Sequence, residues 1–260
     1  MIKKILISSF LLLSLATFAQ QGSASPYSFY GIGEVRFKGT VENRAMAGIG
    51  LEKDSIHINL ENPASYAGLK LTTFTIGGTL SSNTLKNSTT SESANRTTID
   101  YLAVGLPLGK FGLGFGLIPY SSVGYRIRST SSEIEGVNTE YSGSGGLNKA
   151  FVGLGYTVAK GLSIGADINY NFGRIEATSI AAINDVPYGT TELNRADLSG
   201  VNFNFGAMYE HKIGKKLNAY GSLYYSLENS LTSTNIRSVS TFFADSGIDT
   251  FDLQESSKKL

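Results

Sequence analysis

The chemistry this chain could carry is limited by what it contains: two histidines, His57 and His211, and no cysteine. With no thiolate beside those two imidazoles, no zinc cluster can be drawn. Disulfides are excluded as well, although an exported chain could use them. Residue count alone leaves a Ser-His-Asp relay open, but no Gly-x-Ser-x-Gly elbow stands between a strand and a helix. Gly112, Gly114 and Gly116 have the spacing of a nucleotide loop, yet they lie inside a strand pattern with no helix after it. The run from Ser144 to Lys149 puts a lysine after glycines without the Walker spacing and reads as an outer loop. Asp167, Asn169, Asn171, Asn202, Asn204 and Glu210 all project to the polar faces of alternating segments. As a set they read as hydrated or hydrogen-bonded wall positions rather than as a ligand site. Neither an enzyme nor a bound cofactor is expected.

The elements that position these residues alternate with period two. About seven segments from Leu71 onward do so. In the clearest, Leu162, Ile164, Ala166, Ile168, Tyr170 and Phe172 oppose Ser163, Gly165, Asp167, Asn169 and Asn171. Phe111, Leu113, Phe115 and Leu117 alternate with glycines in another. Successive residues of a strand face opposite ways, so these are strands with an apolar and a polar face. Short connections at Gly109-Lys110, 159–161 and 211–216 alternate with long polar stretches at 81–96, 126–147 and 173–197. Short periplasmic turns and long outer loops sort in this way in outer-membrane barrels, whereas a soluble sandwich has no reason to sort them.

Composition agrees. The chain holds 30 Gly, 14 Tyr and 14 Phe with 17% charged residues, against about 25% in soluble proteins. Lys3 and Lys4 precede an apolar run over 5–18, with Thr17 and Ala19 placed for cleavage before Gln20. This is the pattern of a secretory signal peptide over 1–19, too short to span a bilayer. The chain has 22 Lys+Arg and 21 Asp+Glu. Removing Lys3 and Lys4 leaves a mature charge of about −1, and no nucleic-acid partner is indicated. No later segment approaches the roughly 18 apolar residues of a membrane helix, so any membrane crossing must use strands.

Residues 20–68 do not alternate. They are punctuated by Gly31, Gly33, Gly48 and Gly50, and they contain Arg44-Ala45-Met46, Asp54 and the triplet Asn62-Pro63-Ala64 just before the first strand. Together with the Gly-Leu-Pro-Leu-Gly-Lys hairpin at 105–110, these features resemble the FadL-type family of outer-membrane transporters for long-chain fatty acids and other hydrophobic compounds. The resemblance extends to about Leu227. It implies an antiparallel transmembrane β-barrel of roughly fourteen strands, with residues 20–68 folded inside as a hatch and 69–260 forming about half the wall. Asn62, Pro63 and Ala64 would lie at the hatch–barrel junction. Arg44 could hold the hatch by pairing with a lumenal acid. Pro119 lacks the N–H a ladder needs and follows Gly114 and Gly116. It either kinks the strand to make a lateral opening or simply ends it at the outer rim. Seven strands cannot close an even-numbered barrel, and an open edge in hydrocarbon is costly, so the chain is expected to be a fragment. Alternatively, an eighth strand lies within 238–253.

The expected function on this reading is passive uptake of hydrophobic molecules such as fatty acids across the outer membrane. The partners would be outer-membrane lipids, a hydrophobic substrate and the barrel-assembly machinery that inserts the chain. The alternative is a barrel of that family with a secretion-associated or structural role, as relatives associated with type IX secretion have. An apolar closed pocket would favour transport. A lumen plugged by polar contacts, with an extended conserved outer-loop surface, would favour the alternative.

Overall fold

The computed structural model describes residues 25–86, 91–130, 136–184, 186–214, 217–228, 230–243 and 246–259. The signal-peptide expectation for 1–19 lies outside the described residues. Alternation becomes an all-β, antiparallel, barrel-like sheet. After a two-residue strand β1 (Glu34–Val35) and a short helix α1 (Val41–Ala45), the described residues run through ten strands. These are β2 (Thr73–Lys86), β3 (Ser91–Leu108), β4 (Phe111–Pro119), β5 (Ser121–Thr130) and β6 (Val137–Ala159). They continue as β7 (Leu162–Ile183), β8 (Tyr188–Ile213), β9 (Leu217–Ser226), β10 (Thr232–Phe243) and β11 (Ser246–Lys259). The order across the sheet is β11-β10-β8-β7-β6-β4-β3-β2, with β5 beside β6 and β9 beside β8. Among the described residues the sheet does not close.

The outward face is apolar in register. Phe115, Val152, Ile168 and Phe203 stand in one row across β4, β6, β7 and β8. Leu113, Leu154, Ala166 and Phe205 form the row beside it. Val152, Ile168 and Phe203 are each more than 40% exposed, and a contiguous apolar surface of this kind marks a face that does not meet water. Among the described residues, no helix is long and apolar enough to cross a membrane.

The central strands correct the loop expectations. β6, β7 and β8 hold 23, 22 and 26 residues, whereas a tilted strand crosses the bilayer with about 9–11. Much of the stretches 81–96, 126–147 and 173–197 is therefore strand, prolonged beyond the apolar band. There both faces carry Ser, Thr, Asn and paired charges, so the apolar period that marks a strand disappears while the ladder continues. The stretch 238–253, the alternative place for an eighth strand, holds parts of two strands. β10 and β11 form a hairpin on the outer half of β8, with Thr232 opposite Ser199 and Phe243 opposite Tyr188. Among the described residues, two strand positions in the sheet are broken at about the same level: β4 gives way to β5 at Tyr120, and β9 ends at Ser226 before β10 begins at Thr232. The unbroken β6–β8 form the spine between them.

Residues 25–68 lie against the other face of the sheet. α1 begins at a capping box, in which the Thr40 hydroxyl accepts from the Asn43 amide while Asn43 reaches back to Thr40. Ile58, Leu60, Tyr66 and Leu69 join Tyr101, Ala103, Ile118 and Phe151 in the buried apolar cluster.

Candidate functional site

The N-terminal segment is held at two places. The first is a cradle of glycines. Gly112, Gly155, Gly165 and Gly206 stand side by side in register on β4, β6, β7 and β8. The adjoining row is Gly105, Gly114 and Gly153. Across this flattened patch runs a two-turn 3-10 helix, Pro63–Gly68. Cβ atoms would leave no room for it. At Gly112 a Cβ would overlap the Tyr66 carbonyl, at Gly206 the Asn62 carboxamide, and at Gly165 it would lie 2.5 Å from the Ala64 nitrogen. Glycine weakens a strand interior, and its use here reflects close approach of another backbone.

The junction triplet occupies this cradle. Asn62 is 2% exposed. Its amide donates to the Leu223 carbonyl at 3.0 Å and to the Ser222 hydroxyl at 2.9 Å, while its side-chain oxygen accepts from the Ala64 N–H at 2.9 Å. One side chain thus caps the turn and ties it to β9. Pro63 starts the turn, where a missing N–H costs nothing. Tyr66 is 2% exposed, with its ring over Gly114 and Gly153. Burial pushes the Tyr66 phenol well above its ordinary range.

The second hold is an acid on the wall. β2 and β3 slip register between Gly77 and Gly78, so that Gly77 faces Tyr101 while Gly78 faces Ile99. The extra residue on β3 is Asp100, and both Asp100 (6% exposed) and Tyr101 (3%) are buried while Ile99 is 58% exposed. This is a β-bulge re-aiming a side chain. Asp100 receives Arg36 Nη1 at 3.5 Å and Arg44 Nη2 at 3.4 Å, and it accepts from Thr79 and Thr98. Arg96 pairs with Glu34 at 2.9 Å beside it. Burial, and then the Arg96 charge, hold the Arg36 guanidinium below its ordinary pKa.

Arg44, the residue singled out from the sequence, therefore meets an acid absent from the set expected there. Strict period two places Asp100 on the apolar face with Leu102 and Val104. A lone aspartate in phase with apolar residues was the available signal for the bulge. Of the expected polar set, Asp167 accepts from Asn169 and Asn204, and Asn171 donates to Asn202 at 2.9 Å. These side chains bond mainly to one another. His57 pairs with the exposed Asp54 at 2.9 Å, and His211 stacks on Tyr209.

Pro119 pairs with Asn148 as the last residue of β4, opposite an irregular stretch of β6 where Gly145 and Gly146 have φ of 114° and 144°. Beyond Tyr120, β5 leaves β3. It pairs with β6 on one side and with β1 on the other, Glu34 opposite Ser122 and Val35 opposite Ser121. Gly114 and Gly116 sit within paired positions of β4. Its ladders to β3 and β6 are continuous, and Gly116 gives room to Ala103 and Phe151.

An apolar-faced, barrel-like antiparallel sheet whose other face is occupied by its own N-terminal segment defines the class: a β-barrel-type membrane protein. A sequence model of the BamG family matches residues 1–260, the whole length given, and the chain belongs to that family. No curated protein and no solved structure matches it. The family's name ties it to the barrel-assembly machinery and to the outer membrane.

This overturns the FadL-type resemblance, and with it the uptake of fatty acids, the lipid-transport role and the hydrophobic substrate as partner. The physical reason lies in what the shared motifs do. Asn62-Pro63-Ala64 and the alternating glycines seat an inward-folded segment against a wall, and that demand is independent of any cargo.

Proposed function

We propose that the chain is an outer-membrane, non-catalytic subunit working with the barrel-assembly machinery, its role carried by surfaces rather than by a conduit. Family membership supports this. The observation that carries the choice of a structural role is the way the N-terminal segment is fastened. Asn62, the glycine cradle and the Asp100 cluster fasten it by polar bonds and backbone contact, and its apolar residues Ile58, Leu60, Tyr66 and Leu69 pack into a buried cluster with the wall rather than around an apolar chamber. A cleft beside it, about 510 Å³, is lined by Lys38, Glu61, Asn62, Ser222 and Tyr224 as well as by Ile49 and Leu51. Lys38 donates to the Tyr224 hydroxyl at 2.6 Å inside this cleft. A carboxyl and an ammonium facing the same space do not suit a hydrocarbon chain. The apolar outward rows suit contact with outer-membrane lipid, and the prolonged strands offer a wide polar surface beyond the bilayer.

The test is isolation of the tagged full-length protein in mild detergent. Recovery of the machinery's barrel subunit in comparable amount is the expected result. A folded chain that purifies alone, with the machinery intact in the same membranes, would contradict it.

A further inference from the structure

Beyond that reading, the outer part of the sheet contains an edge built to take one more strand. Past Leu102, among the described residues, no ladder joins β3 to β5. The two diverge, and the seam between them is entered by β1. β1 adds two residues to β5 by backbone pairing and meets β3 through side chains, with Arg96 on Glu34 and Arg36 Nη1 on the Ile99 carbonyl at 3.3 Å. The N-terminal segment then leaves the edge at Gly33, whose φ is 86°. A Cβ at Gly33 would lie 2.6 Å from Val123 Cγ2. It touches the edge again at Ser28, whose hydroxyl accepts from the Gly124 N–H at 3.1 Å. That bond fixes parity: the Gly124 N–H points away from β6, and so do those of Arg126 and Arg128 further along. From Arg126 to Thr130, β5 pairs with β6 alone among the described residues.

The charge around this edge has a sign. Arg126 and Arg128 both lean on Glu140, at 3.2 and 2.9 Å. Arg36 and Arg44 share Asp100, and Arg96 takes Glu34. Among the described residues, five arginines thus share three carboxylates. Arg126 and Arg128 are 68% and 77% exposed, so this length of edge stands in water above the apolar band.

We propose that the free edge of β5 from Arg126 to Thr130 is a docking site for an extended acidic peptide segment of another protein, which adds as an antiparallel strand in line with β1. Backbone bonds to Arg126 and Arg128 supply the register, and the surplus arginines select acidic side chains at alternate positions. Strand addition to an exposed edge draws affinity from main-chain bonds and specificity from alternating side chains. The β1 pairing shows that the seam already accommodates a strand running in this direction.

The experiment uses the full chain folded in detergent and three labelled ten-residue peptides. One alternates Glu with Thr and Val, one has Lys for every Glu, and one is the acidic peptide N-methylated along a single edge. Fluorescence anisotropy should show saturable binding of the acidic peptide, at least tenfold weaker binding of the lysine peptide, and loss of binding on N-methylation. Arg128→Pro removes one edge N–H without touching the ladder to β6. It should abolish binding, whereas Arg128→Ala weakens it only several-fold. Equal binding of all three peptides overturns the proposal, as does failure of the acidic peptide to bind. If Arg128→Pro does not fold, the N-methylated peptide decides the question on the unaltered protein.

Discussion

The Asn62 carboxamide reaches from the N-terminal segment to the Leu223 carbonyl at 3.0 Å, and a Cβ on Gly206 would overlap its oxygen. One amide therefore fastens a turn to the wall, and one glycine makes the approach possible. Asn62→Asp keeps the shape and the cap but loses both donors to β9. A buried acceptor left unsatisfied costs about 1–3 kcal/mol, more when the replacement brings a charge. Asn62→Asp should lower the unfolding midpoint and expose residues 25–68 to protease, and Asn62→Ala should do so to a smaller degree. Limited proteolysis in detergent reads both.

The glycine cradle predicts a graded series. Gly112→Ala and Gly206→Ala push a methyl into the turn itself and should each destabilise by about 1–3 kcal/mol or more. Gly221→Ala, with open space around its Cβ position, should be close to neutral. Thermal unfolding of the three variants checks the order, and a Gly221 variant as damaged as Gly112 would contradict it.

At the acid-centred hold the two arginines are unequal. The Arg36 side chain is 13% exposed and that of Arg44 40%. Removing Arg36 leaves Asp100 buried with a half-solvated partner and should cost up to about 3–5 kcal/mol. Removing Arg44 should cost about 1 kcal/mol or less, because water screens that pair. Asp100→Asn should be at least as damaging as Arg36→Ala. Denaturant midpoints of the three variants give the comparison.

Lys38 predicts a pH dependence. Burial brings its pKa down to about 8 from an ordinary 10.5, against the pull of Asp167 and Glu61. Between pH 8 and 10.5 the unfolded chain binds this proton and the folded chain does not, so Lys38 makes stability rise with pH across that window. Below pH 8 both forms are protonated, and the penalty for burying the charge is fully present. Lys38→Met should therefore be more stable than the native protein at pH 7 and should lose this part of the rise toward pH 10. Denaturant unfolding at both values checks the sign.

Much of the wall was legible in the sequence because one face is apolar. The rows through Ile168 and Phe203 follow directly from period two. The prolonged strands were not legible, since at 126–147 and 173–197 neither face is apolar and the same ladder leaves no periodic trace. The glycines could be assigned a face but not a partner. That Gly112, Gly155, Gly165 and Gly206 align depends on register across four strands, which no single segment encodes. Asp100 was missed because a one-residue bulge inverts its face. Function was misread for a related reason: the motifs that suggested a transporter fasten a turn and say nothing of what passes.

The most direct measurement of the central claim is depletion of this protein in its own cells, followed by quantifying folded outer-membrane barrels and uptake of a labelled long-chain fatty acid together. A fall in folded barrels that precedes any change in uptake is the predicted result. Normal barrel levels with lost uptake would contradict the assembly role and return the chain to the transporters.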